Sequence, residues 1–123
     1  MSAPGRVLIV DDEPNVAAVL RALLVELGHT VEAAGTASDG LRLVEEFAPD
    51  VVLLDLGLPG VRGEVVLARL RETRPVLPVI VITGNDTELA QRLLADGAFD
   101  YLAKPFSMSR LAHVLEAALA SRR

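Results

Sequence analysis

The chain has 123 residues, 51% hydrophobic and 3% aromatic, with a formal charge of −5 and no cysteine. This length suits one domain whose core is filled by Leu, Val, Ile and Ala. The acidic balance argues against a bare nucleic-acid-binding module, and the missing cysteines exclude disulfides, thiolate metal sites and cysteine nucleophiles. No apolar run approaches the ~20 residues of a membrane span, and "MSAPGR" has no signal-peptide apolar core, so a soluble cytoplasmic protein is expected.

In chain order, "RVLIV" (6–10) is a short β-branched run that reads as a buried strand and ends at "DDE". Pro14 suits the first turn of a helix whose apolar face is Val16, Leu20, Leu23, Leu24 and Leu27, and Gly28 ends it. "TVEAA" (30–34) is a more polar strand, expected near an edge. Thr36 and Asp39 resemble a capping box for a helix running to about Phe47, closed by Pro49. "VVLLD" (51–55) is continuously apolar up to its last residue and reads as a central parallel strand. "GLPGVRG" is a loop. The helix after it runs to about Arg74, with Val65, Val66, Leu67 and Leu70 inward. "PVIVIT" (78–83) is a fourth strand, Asp86 or Thr87 caps a helix ended by Gly97, and "DYLA" (100–103) is a fifth strand. Ser107 caps the last helix, which turns Leu111, Val114, Leu115, Ala118 and Leu119 inward. Five βα units with right-handed crossovers predict an α/β fold: a doubly wound, five-stranded parallel sheet of order 2-1-3-4-5, flavodoxin-like. No linker or internal repeat appears, so residues 1–123 are expected to form one domain with a core of about 6–120.

Ligands of such sheets sit at the carboxyl ends of the strands. There the sequence puts Asp11, Asp12 and Glu13 after the first strand, Asp55 at the end of the third, Thr83 at the end of the fourth, and Lys104 just beyond the fifth. Lys104 is the only lysine; the other eleven of the 12 basic residues are arginines. The first and third strands are expected to be neighbours, ~5 Å apart, so their carboxylates crowd. That is unfavourable unless a cation neutralises them or one is protonated. An oxygen-only set without His or Cys favours a hard cation, Mg²⁺ foremost. Asp55, held at the end of an apolar strand, can act as a nucleophile toward phosphorus, with Thr83 and Lys104 as hydrogen-bond donors to phosphoryl oxygens. Taken one by one, each residue has a plainer role: Asp12 or Glu13 could cap the first helix, a Thr suits a strand, and a Lys suits a surface. Their convergence on one rim is what favours chemistry.

"VDDE", "LLDLGLPG", "VITG" and "GAFDYLAKPF" stand in this order and spacing on the (βα)₅ pattern. In this the chain resembles the response-regulator receiver domains of two-component signalling, the CheY-like superfamily, from Arg6 to about Ala120. The resemblance implies that Asp55 accepts a phosphoryl group from a sensor histidine kinase, a phosphotransfer protein or a small donor such as acetyl phosphate. It implies Mg²⁺, with Mn²⁺ as the alternative, bound by Asp12, Asp55 and the Gly57 carbonyl directly and by Asp11 through water. Thr83 and Tyr101 would be the switch pair, Tyr101 moving from exposed to buried. Lys104 would pair with Asp55 through a cis Lys104–Pro105 bond, and Gly84 would leave the site open. The domain would catalyse its own aspartyl phosphorylation and dephosphorylation while acting as a signalling module rather than an enzyme. The partner face would be the fourth helix, fifth strand and fifth helix, meeting an effector domain or protein. No direct contact of this domain with nucleic acid or membrane is implied.

The alternatives are a receiver-shaped scaffold working without phosphate and an enzyme on a similar fold, either an aspartate-nucleophile phosphatase or a flavin-binding flavodoxin. The phosphatase wants an acid where Gly57 stands, and the flavodoxin wants a Ser/Thr/Gly-rich phosphate loop where "DDEPN" stands. Gly57 and Asn85 occupy positions expected to tune phosphate lifetime; Asn85 either orients a water or caps the next helix. Phe99 and Arg110 replace two acids that one branch of the family carries on a charge-paired dimer face, so that dimer is expected to be weakened or absent. Phe99 is either a partner anchor or a half-buried residue at the strand entrance. Lys104→Arg is expected to accept phosphate yet signal poorly, because a planar fork cannot follow one phosphoryl oxygen as a compact ammonium does.

Overall fold

The apolar runs become strands and the segments between them helices. The computed structural model describes residues 4–84 and 86–121. The elements alternate without exception: β1 (Arg6–Val10), α1 (Pro14–Glu26), β2 (Thr30–Ala34), α2 (Ala37–Phe47), β3 (Val51–Asp55), α3 (Gly63–Thr73), β4 (Val79–Thr83), α4 (Thr87–Ala95), β5 (Asp100–Ala103) and α5 (Met108–Ala120). The strands form one parallel sheet of order β2-β1-β3-β4-β5, the expected order, with the polar strand β2 at an edge.

Period-two alternation divides the core. Val7, Ile9, Leu53, Ile80 and Leu102 face Leu20 and Leu24 of α1 and Leu111, Val114, Leu115, Ala118 and Leu119 of α5. Leu8, Val10, Val52, Leu54, Val79 and Val81 face α2, α3 and α4. All five residues of β3 and all five of β4 are buried, as a parallel strand covered on both faces requires. This burial places Asp55 and Thr83 rigidly, since moving either strand end would disturb side chains worth ~1.5–3 kcal/mol each.

Helix ends follow the expected chemistry. Thr36 Oγ1 accepts from the Asp39 N–H, Asp86 Oδ1 from the Leu89 N–H and Ser107 Oγ from the Arg110 N–H; of the two candidates at α4, Asp86 is the cap. Two inward assignments need correction. Val65 is 59% exposed and Leu27 46% exposed. In α3 the inward set is Gly63, Val66, Leu67 and Leu70, an i, i+3, i+4, i+7 stripe, and three consecutive apolar residues cannot all share it. Leu27 lies past the last residue of α1, at its C-cap, beyond the helical face.

Two chain reversals require glycine. Gly28 (φ +97°) and Gly97 (φ +110°) follow α1 and α4. A Cβ at Gly28 would meet nothing within 4 Å, whereas at Gly97 it would lie 2.8 Å from Cδ of Arg71. Gly28→Ala should therefore cost only the left-handed backbone penalty of about 1–2 kcal/mol, and Gly97→Ala should cost more. Urea denaturation of the two variants checks the order; equal losses would remove Arg71 from the account.

Candidate phosphoryl-acceptor site

The sheet delivers its polar residues to one rim. Asp11 prolongs β1, its N–H donating to the Ala34 carbonyl at 2.9 Å, and Asp55 closes β3 beside Ile82 of β4. Carboxylate oxygens of Asp11, Asp12 and Asp55 all lie within 4.8 Å of one another. Asp11 and Asp55 are buried and Asp12 is exposed. Neither Asp12 nor Glu13 caps α1: the N-cap position is Glu13, whose side chain makes no capping bond.

Asp11 bears the strain of this crowding. Its Oδ1 accepts from the Glu13 N–H at 2.9 Å, but its Oδ2 is buried without a hydrogen-bond partner. Burial pushes its carboxyl above the ordinary range; the Glu13 N–H pulls it back, the Asp55 charge pushes it further, and Lys104 opposes. An orphaned, desolvated carboxylate oxygen beside two further acids has the donor chemistry of a hard-cation site. The residues present therefore fit Mg²⁺, with Asp11, Asp12 and Asp55 as the groups that would hold it.

Lys104 answers from two strands away. Its Nζ lies 3.5 Å from Asp55 Oδ1, which also accepts from the Gly57 N–H at 3.2 Å. The Lys104 N–H donates to the Thr83 carbonyl at 2.8 Å, so the sole lysine and the rim threonine are joined through the backbone. The Lys104–Pro105 bond is cis, as the family resemblance implied. The buried Thr83 hydroxyl bonds the backbone of Asp86: it donates to the carbonyl and accepts from the N–H, both at 3.3 Å. That tie to the helix after it was not visible in the sequence, which marks Thr83 as a rim hydroxyl but not its bonds to the Asp86 backbone.

The other assigned positions are placed as follows. Gly57 is exposed beside Asp55; a Cβ there would sit 3.6 Å from Asp55 Oδ2, so its absence keeps the approach to that carboxylate clear. Around Gly84 a Cβ would meet nothing within 4 Å. Tyr101 is half-buried against the cluster that includes Val81 and Leu93, between the two extremes expected of it. The expectation for Asn85 lies outside the described residues. Phe99 is half-buried, packed against the core on the α1/α5 side of the sheet, and Arg110 pairs with Asp100 of its own chain at 3.7 Å. Among the described residues no helix is long and apolar enough to cross a membrane.

The family model for the response regulator receiver domain matches residues 7–116. The transcriptional regulatory protein KdpE of Mycobacterium tuberculosis is 42% identical over 114 residues, covering 92% of this chain and 50% of its own length. The transcriptional regulatory protein TcrA of the same organism is 40% identical over 108 residues, covering 86% of this chain and 42% of its own. The chain thus spans half or less of the length of these curated relatives. The crystal structure of a response regulator receiver domain protein from Clostridium thermocellum superposes with a TM-score of 0.90 at 30% identity and covers 94% of each chain. Fold and comparisons define a CheY-like signalling domain of the two-component type. This chain belongs to the response regulator receiver domain family.

The desolvation of Asp11, with the Asp55 charge adding to it, has a measurable sign. A carboxyl with a raised value favours the folded state only while protonated, and that contribution is lost as pH climbs through the raised value. Asp11→Asn keeps an oxygen for the Glu13 N–H and removes the charge. In chelator at neutral pH it should stabilise the protein by about 1 kcal/mol, and the gain should vanish at acid pH, as urea denaturation at the two pH values would register. A loss of stability at neutral pH would contradict the charge account.

Proposed function

We propose that this domain accepts a phosphoryl group on Asp55 from a phosphohistidine of a sensor kinase or phosphotransfer protein, and that the resulting charge switches the α4–β5–α5 face toward an effector domain or protein. The observation that carries the reading is the ammonium of the only lysine, 3.5 Å from a buried carboxylate that ends a fully buried strand. A carboxylate so placed, with one oxygen engaged by Lys104 and the Gly57 N–H, is oriented for in-line attack. A bond forms between an Asp55 oxygen and phosphorus as the bond from phosphorus to the donor's ring nitrogen breaks, and the imidazole leaves with the electron pair.

When bound, Mg²⁺ would supply charge neutralisation for the carboxylates and the phosphoryl oxygens. Lys104 is placed to follow one phosphoryl oxygen, and the Thr83 hydroxyl to donate to another after leaving Asp86. The backbone bond from Lys104 to Thr83 joins the two responding residues. Tyr101, paired with Val81 across the sheet and half-buried, would move further inward as Thr83 does. Gly57 leaves water free to reach the acyl phosphate, so the same site supports self-dephosphorylation. The reading gives a signalling module with one self-modifying residue. An aspartate-nucleophile phosphatase finds no support at Gly57, where it would need its second acid.

Incubation with Mg²⁺ and acetyl phosphate, read by intact mass, should give one phosphoryl adduct that is absent in Asp55→Ala. An adduct that persists in Asp55→Ala, or none in the parent protein with either acetyl phosphate or a phosphohistidine donor, would overturn the assignment. Steady release of phosphate from unrelated monoesters would support the phosphatase instead.

A further inference from the structure

The two ends of α4 are held by different means. At its start the Thr83 hydroxyl and the Asp86 backbone are joined by two bonds of 3.3 Å, at the long end of the hydrogen-bond range. At its finish the Ala98 N–H donates to Leu93 at 2.9 Å and the Phe99 N–H to Val79 of β4 at 2.8 Å. Arg71, in the last turn of α3, closes over the same turn. Its Nη1 donates to the carbonyls of Pro75 (3.1 Å) and Gly97 (3.4 Å), and its Nη2 to those of Arg74 (3.3 Å) and Leu77. Its stem lies where a Cβ of Gly97 would be.

Among the described residues the partners of Arg71 are carbonyl oxygens rather than carboxylates. Its Nε is buried without a partner, and burial lowers its proton affinity from the ordinary value. A guanidinium held at that cost, with no ion pair to offset it, is a cross-brace: one planar group ties the α3–β4 turn to the turn that ends α4. The long Arg92–Glu64 pair at 4.0 Å, with Arg92 exposed and Glu64 half-buried, is the other charged link between α3 and α4, and surface pairs contribute little.

We infer that Arg71 is a positioning residue for the switch, pinning the C-terminal end of α4 so that the helix swings about that end when Thr83 leaves Asp86. This rests on the proposed role of Thr83 as the responder. The pivot converts a small hydroxyl movement at residue 83 into displacement of the first turns of α4, and it leaves the junction with β5 fixed. Without the brace, the same release would loosen the whole helix, and the output face would lose its shape instead of changing it.

Hydrogen exchange along α4 tests the inference without a phosphoryl donor. Thr83→Ala removes the hydroxyl. It should raise exchange at residues 87–91 by about tenfold and at 92–97 by less than about twofold. With Arg71→Met added, the rise should reach 92–97, beyond what Arg71→Met produces alone. If Arg71→Met does not fold, Arg71→Lys retains the stem and one donor group, and the rise at 92–97 should be about threefold. A change confined to 87–91 with or without Arg71 would overturn the inference, as would equal loosening of both ends by Thr83→Ala alone. Failure of the receiver reading is scored separately, by the absence of the Asp55 adduct, because no donor enters the exchange experiment.

Discussion

Repulsion among three carboxylates held at one edge of a rigid sheet is the constraint on which the rest of this molecule depends. Two unit charges ~4 Å apart near a protein surface interact by roughly 4 kcal/mol at an effective dielectric of 20, so the arrangement persists only because something else fixes it. That something is the core. Burial of every residue of β3 and β4 and the parallel register of β1 on β3 leave Asp11 and Asp55 nowhere to go. The fold therefore holds an electrostatically unsatisfied site in place, and the orphaned Oδ2 of Asp11 is its visible residue. One ammonium, that of Lys104, reaches the site from the far side. In the proposed cycle a divalent cation and a phosphoryl group bring the remaining charges into balance.

That imbalance sets the layout of the responding parts in the proposed cycle. A change of charge at Asp55 is felt first by groups within hydrogen-bond reach, and these are tied in sequence: Lys104 through its N–H to Thr83, and Thr83 through its hydroxyl to Asp86, the cap of α4. Each link is one or two hydrogen bonds rather than a packed interface, so each can be exchanged at a cost of about 1 kcal/mol per bond. The C-terminal end of α4 is held by the Ala98–Leu93 and Phe99–Val79 backbone bonds, with the Arg71–Gly97 contact beside them. In the proposed cycle α4 responds at its N-terminal end, while its C-terminal end stays held by those backbone bonds.

The sequence made the fold and the rim legible for the same physical reason: both rest on local pattern. Short strands of four or five residues, two of them ending in Asp55 and Thr83, helices with an apolar stripe, and a topology with few handed solutions leave little freedom. Val65 and Leu27 went astray where apolar runs exceeded the width or length of the buried stripe. What stayed hidden depends on contacts distant in sequence. Arg71 reads as one of eleven arginines, and only the turn at Gly97, 26 residues away, gives it a role. The tie between Thr83 and Asp86 is three residues long yet equally silent, since it involves backbone atoms that any residue would offer. The intermediate position of Tyr101 was unreadable because half-burial is a matter of packing rather than of residue type.

The most direct test of the central claim is thermal stability as a function of Mg²⁺ at constant ionic strength. If the rim is a charge-frustrated cation site, the melting temperature should climb with Mg²⁺ along a binding curve, reaching about 2.7 kcal/mol of stabilisation at a hundredfold excess over the dissociation constant, and Asp12→Asn should flatten that curve. An identical climb when Mg²⁺ is replaced by sodium at matched ionic strength, or a curve unchanged in Asp12→Asn, would contradict it.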